Sequence, residues 1–158
     1  MPKSHERFHS TNGKRQILIA EDEAINRAML GHALEDEYEI LYACDGGEAL
    51  EMIQSNKDTL SLVLLDILMP IMSGIEVLKK VREDKGLSHI PVIVTTAETE
   101  TEIESLNLGA IDFVPKPYPA VGVIKARVLH AIELAEDRDI IKLTERDELT
   151  GLYNREYF

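Results

Sequence analysis

An α/β domain built on a parallel sheet with helices on both faces is the fold class this sequence predicts, and three observations carry it. Short apolar runs alternate five times with stretches of helical periodicity from Gln16 onward. The runs ILIA, SLVLL and PVIVTT are nearly continuous in apolar character, as strands buried on both faces are, and do not alternate. Each is too short for a helix of ordinary length and stops at charged, hydroxyl or turn-forming residues.

The first round is ILIA followed by EDEAINRAMLGHALEDE, in which Ile25, Ala28, Met29 and Ala33 recur at helical spacing. YEILYACDG reads as the second strand, closed by Asp45-Gly46-Gly47, and EALEMIQSN as a short amphipathic helix. SLVLL and SGIEVLKKVRED form the third round, with Ile75, Leu78 and Val81 on one face, and PVIVTT and ETEIESLNLGA form the fourth. The fifth strand, Ile111 to Val114, ends at Pro115-Lys116-Pro117, and Pro119 suits the first turn of a long final helix. Right-handed crossovers leave few possible strand orders. Ahead of the first strand, MPKSHERFHSTNGKRQ is polar and mildly basic, and residues 1–15 read as a flexible tail.

A chain of 158 residues with 44% apolar content can build one domain with a full core and a short appendage. With 29 acidic against 17 basic residues, the net charge of -12 argues against nonspecific binding to nucleic acid or to an anionic membrane. Cys44 is the single cysteine, which excludes an internal disulfide and fits a reducing cytoplasm. No apolar run reaches the length of a secretion signal or a membrane span.

In open parallel sheets, ligands bind beyond the carboxyl ends of the strands, at the switch in strand order. The residues standing there are Glu21 and Asp22 after the first strand, Asp66 after the third, Thr95 and Thr96 after the fourth and Lys116 after the fifth. Singly, each has a structural reading as a helix-capping acid, a turn hydroxyl or a surface charge. Capping does not explain their joint placement at one sheet edge. Crowded carboxylates repel one another unless a cation sits among them, and Mg²⁺ favours such hard oxygen ligands. No Cys-His spacing offers zinc an alternative. An Asp beside such a cation, with a Lys and a Thr in reach, can act as a nucleophile on a phosphoryl group.

Glu21-Asp22 after IA, Asp66 within LLDILMP, Gly74 eight residues later, Thr96-Ala97 within VTTAE and Lys116-Pro117 within FVPKP form an ordered set. With this set, residues 16–136 resemble the receiver domain of bacterial two-component response regulators. The resemblance implies a flavodoxin-like (βα)5 fold with strand order 2-1-3-4-5. It implies that Asp66 accepts phosphate from a histidine kinase or phosphotransfer protein. Asp22, Asp66 and the Leu68 carbonyl would hold Mg²⁺, with Glu21 assisting through water, and Thr96 and Lys116 would contact the phosphoryl oxygens. Thr96 and Phe113 would form the switch pair, and a cis bond would precede Pro117. Leu68 and Glu98, each two residues past a site residue, depart from the family's commonest patterns and bear on the lifetime of the phosphate.

Beyond the fifth strand, Val121, Ile124, Val128, Ala131 and Ala135 recur at spacings of three and four. That stripe suits either a coiled-coil seam or a helix packed on its own sheet, and Arg138 and Lys142 interrupt it. Residues 137–146 read as a helical connector. Asp147 to Arg155, DELTGLYNR, resembles the DxLTGLxNR opening of GGDEF-type diguanylate cyclase domains, so 147–158 reads as the truncated start of such a domain. The resemblance implies a regulatory chain without a complete catalytic domain, a phosphorylation-dependent homodimer, and a full-length parent that makes cyclic di-GMP. A haloacid dehalogenase-type phosphatase would want a second acid where Leu68 stands. A flavodoxin-like cofactor binder would want small and hydroxyl residues where Glu21 and Asp22 stand. A partner-binding receiver without phosphotransfer would be expected to lack one of the site residues.

Overall fold

The computed structural model describes residues 13–148, with side chains as far as residue 138. Five strands, β1 (Arg15–Ala20), β2 (Tyr38–Ala43), β3 (Leu60–Asp66), β4 (Val92–Thr96) and β5 (Asp112–Pro115), form one parallel sheet in the order β2-β1-β3-β4-β5. The helices are α1 (Ala24–Leu34), α2 (Gly46–Ser55), α3 (Gly74–Glu83), α4 (Thr99–Asn107) and α5 (Val121–Glu148). The (βα)5 fold and the strand order expected from the sequence are therefore present.

Period-two alternation along the strands divides the core into two layers. Leu18, Val63, Leu65, Val92 and Val94 meet Ile53, Val77, Leu78 and Val81 of α2 and α3 on one face. Ile17, Ile19, Leu62, Leu64 and Ile93 meet Leu30 and Leu34 of α1 and Ile124, Val128 and Ile132 of α5 on the other. Each fully buried Leu or Ile contributes about 2 kcal/mol relative to exposure, which is why β3, buried along its whole length, anchors the sheet. α2 and α3 begin at side-chain caps: Asp45 accepts from the Glu48 N–H at 2.7 Å and Ser73 from the Glu76 N–H at 3.2 Å.

Several expectations need correction. Arg15, assigned to the tail, is the first residue of β1, and its guanidinium pairs with Glu136 of α5 at 2.8 and 2.9 Å. Residues 1–12 of the expected tail lie outside the described residues. On α1, Ile25 and Met29 are exposed, and the buried face is Leu30, Gly31, Ala33 and Leu34. Leu30, Ala33 and Leu34 bury that face in the core, and Gly31 permits the close approach, since a Cβ there would collide with the Tyr42 hydroxyl of β2. Pro119 precedes α5 and is not within its first turn. Of the α5 stripe, Ile124, Val128, Ala131 and Ala135 are spent on the chain's own core while Val121 is exposed, so the stripe is not a free seam. The GGDEF-like motif reaches the described residues only at Asp147 and Glu148, whose backbone closes α5.

Candidate functional site

The carboxyl ends of β1, β3, β4 and β5 meet because their registers are in step: Asp66 pairs with Thr95, and Thr96 with Pro115. Ladder bonds continue past the strand ends, from Glu21 N to Ala43 O at 3.0 Å, Ile67 N to Thr95 O at 3.2 Å and Lys116 N to Thr96 O at 2.9 Å. The backbone next to each site residue is thereby fixed before any ligand arrives.

The sheet thus draws Glu21, Asp66 and Lys116 into direct contact. The Lys116 ammonium lies 3.0 Å from Asp66 Oδ1 and 3.2 Å from Glu21 Oε1, bridging the two. Glu21 is fully buried and Asp66 3% exposed, while Asp22 is exposed at the rim. Ligand oxygens of Glu21, Asp22 and Asp66 lie within 4.8 Å of one another. Three hard oxygen donors so close are a chemical fit for a small divalent cation. Burial, then the proximity of Glu21, pushes the Asp66 carboxyl up to about 7, and Lys116 opposes that rise. Burial also acts to raise Glu21, but the Glu23 N–H at 3.2 Å, Lys116 and the Tyr118 hydroxyl outweigh it and hold Glu21 below its ordinary value.

The remaining residues are placed at various distances from this cluster. Thr96 is buried at the end of β4, and its hydroxyl accepts the Glu98 N–H at 3.1 Å. Leu68 follows Asp66 with an exposed side chain, and its N–H donates to Asp66 Oδ1 at 3.4 Å. Phe113 is half-buried beneath Arg127, whose guanidinium carbon is 5.8 Å from the ring centroid. The Lys116–Pro117 bond is cis, as anticipated.

Sequence reasoning missed two participants and gave no reason for a third. Tyr118 donates its hydroxyl to Glu21 Oε1 at 3.0 Å, and a hydroxyl two residues past Lys116 at the same sheet edge was the available signal. Arg27 of α1 donates to the Glu21 carbonyl at 2.8 Å, holding the β1–α1 turn. Gly74, read only as part of a motif, is required because a Cβ there would collide with the Asp66 carbonyl oxygen. That close approach seats the first turn of α3 against the backbone of Asp66.

The family described as response regulator receiver domain matches residues 17–128. The chain belongs to this family. Receiver domains generally bind Mg²⁺ at an acidic pocket and take phosphate from histidine kinases, and a cluster of Glu21, Asp22 and Asp66 is present in this chain. A probable cyclic di-GMP phosphodiesterase of Vibrio cholerae is 38% identical over 135 residues, covering 84% of this chain and 30% of that protein. Histidine kinase P4 of Formosa agariphila is 37% identical over 107 residues, covering 66% of this chain and 8% of its own. The chain therefore spans less than a third of either relative. Among solved structures, the receiver domain of the Francisella response regulator 1452 superposes with a TM-score of 0.68 at 29% identity, covering 75% of this chain and 96% of that one. Among the described residues of this receiver, no helix is long and apolar enough to cross a membrane.

Proposed function

We propose that this receiver is phosphorylated on Asp66 and uses the modification to control an output carried by a longer parent protein. The observation that carries the reading is the contact set of Asp66: a buried carboxylate at a strand end, 3.0 Å from an ammonium and grouped with two further acids. Asp22, Asp66 and the Leu68 carbonyl would hold Mg²⁺, with Glu21 acting through water. When bound, the ion offsets charge among the carboxylates and on phosphoryl oxygens. An Asp66 carboxylate oxygen forms the new bond to phosphorus as the phosphorus–nitrogen bond of a phosphohistidine breaks, and the imidazole leaves with its electron pair. Lys116 already bridges Asp66 and Glu21, so its ammonium can follow negative charge onto the phosphoryl oxygens. The Thr96 hydroxyl accepts the Glu98 N–H, which leaves its own O–H to donate to a phosphoryl oxygen, and Phe113 beneath Arg127 would respond to that motion. The phosphodonor is a histidine kinase or phosphotransfer protein in the cytoplasm.

For the output, the DELTGLYNR motif favours a diguanylate cyclase, with phosphorylation controlling pairing of two chains through α5. A second reading rests on the Vibrio cholerae relative, whose description as a probable cyclic di-GMP phosphodiesterase favours an output that degrades the same dinucleotide. Incubation with acetyl phosphate and Mg²⁺, followed by intact-mass analysis, tests the first step. The expected result is a single phosphoryl group on the native chain and none on Asp66→Asn. Stable label on a Ser, Thr or His side chain defeats the reading. For the output, the full-length protein incubated with GTP or with cyclic di-GMP separates the two activities.

A further inference from the structure

At the opposite end of the sheet from Asp66, a cavity of about 420 Å³ opens among the last turn of α3, the loops entering β4 and β5, and α5. Ile90, Ile111 and Ala135 supply part of its apolar wall, and its charged lining is Arg82 and Arg138, with the His89 imidazole beside them. In a chain with 29 acidic against 17 basic residues, a recess whose charged lining holds no acid is a departure that asks for a reason.

Arg82 is held rigidly. Its Nε donates to the Gly109 carbonyl at 3.1 Å, Nη1 to Ser88 at 2.6 Å and Nη2 to Ile90 at 2.8 Å. Gly109, at φ 110°, allows this approach, since a Cβ there would stand 2.9 Å from Arg82 Cδ. Two of the five guanidinium N–H groups remain for another acceptor. The carbonyl bonds account for Arg82 as a clamp on two loops, but they do not account for a second guanidinium beside it. Burial and then the charge of Arg138 both disfavour the Arg82 cation. Among the described residues, neither arginine has a carboxylate partner. Arg138 lies three residues beyond the buried Ala135, so it shares the helix face that last touches the body of the domain.

We propose that this recess binds a small phosphate-bearing anion, held between Arg82 and Arg138 with its organic body against Ile90, Ile111 and Ala135. Two guanidinium forks can grip a phosphate dianion together because its charge and three acceptor oxygens sit on one centre, whereas the charges of a dicarboxylate sit on separate carbons. The cavity exceeds the size of inorganic phosphate and leaves room for a compact organic group. Because Arg82 belongs to the body and Arg138 to α5, the occupant ties the helix down where it leaves the domain. The recess lies at the other end of the sheet from Asp66 and is formed without phosphorylation there.

The test uses the full chain with a chelator present, so that the acidic pocket is not loaded with metal. Inorganic phosphate, adenosine monophosphate and succinate are titrated while backbone amide shifts are followed by NMR. Saturable shifts at Ser88, His89, Gly109 and Ala110 are expected with the two phosphate compounds, and with Arg138→Gln the affinity falls about tenfold. Arg138 is exposed, so its replacement leaves the fold intact. Unmoved amides at these positions, shifts confined to the Asp66 end, or equal affinity in Arg138→Gln overturn the site. Succinate binding as tightly as phosphate overturns the assignment of the ligand class.

Discussion

Replacing Asp66 by Asn should stabilise the metal-free protein, and by an amount that depends on pH. The folded state raises the Asp66 carboxyl from 3.8 to about 7, through burial first and Glu21 second. A carboxyl with a raised pKa binds its proton more tightly folded than unfolded. Its ionisation therefore costs nothing below the unfolded value, costs progressively more as pH rises through the interval, and reaches a plateau above about pH 7. A separation of about three units corresponds to about 4 kcal/mol at the plateau, and water at the open sheet edge brings this to about 2 to 4 kcal/mol. Asn keeps the shape and removes the charge, while Lys116 keeps Glu21 as its partner. Urea unfolding of native and Asp66→Asn chains in chelator, at steps from about pH 5 to about pH 8, measures the difference. The advantage of Asn should grow with pH across the window and shrink when Mg²⁺ is added to the native chain. A pH-independent difference, or an Asn variant that is less stable at about pH 8, refutes the account of Asp66 as a strained, cation-seeking carboxylate.

Millimolar Mg²⁺ should raise the melting temperature of the native chain, and Asp22→Ala should reduce that rise, as thermal melts with and without the ion will show. Gly74→Ala should cost about 2 kcal/mol or more, because the new methyl meets the Asp66 carbonyl, and urea titration reads the loss directly. Asp45→Ala should cost about 1 kcal/mol by leaving the Glu48 N–H of α2 without its cap, with no change in Mg²⁺ response.

Taken by itself, the sequence determined the architecture and named residues that the sheet gathers at one edge, though not Tyr118 or Arg27. Runs buried on both faces can be recognised from composition alone, and in a parallel sheet the residues after each run must gather at one edge. Glu21, Asp22, Asp66, Thr96 and Lys116 were legible for that reason. What the tertiary structure decided are contacts whose partners are far apart in the chain. The Lys116 bridge to Asp66 spans 50 positions and the Tyr118 bond to Glu21 spans 97, and no local pattern encodes either. Helical periodicity identified stripes on α1 and α5 but not which side meets the sheet. On α1 burial of Leu30, Ala33 and Leu34 left Ile25 and Met29 facing outward, and on α5 the core consumed residues that resembled a free seam. Arg82 and Arg138 likewise come to line one recess only once the end of α3, the loops at the amino ends of β4 and β5, and α5 are assembled around it. Sequence fixes which residues lie on a given element, whereas the packing of elements separates groups that bury apolar surface from groups left facing a ligand.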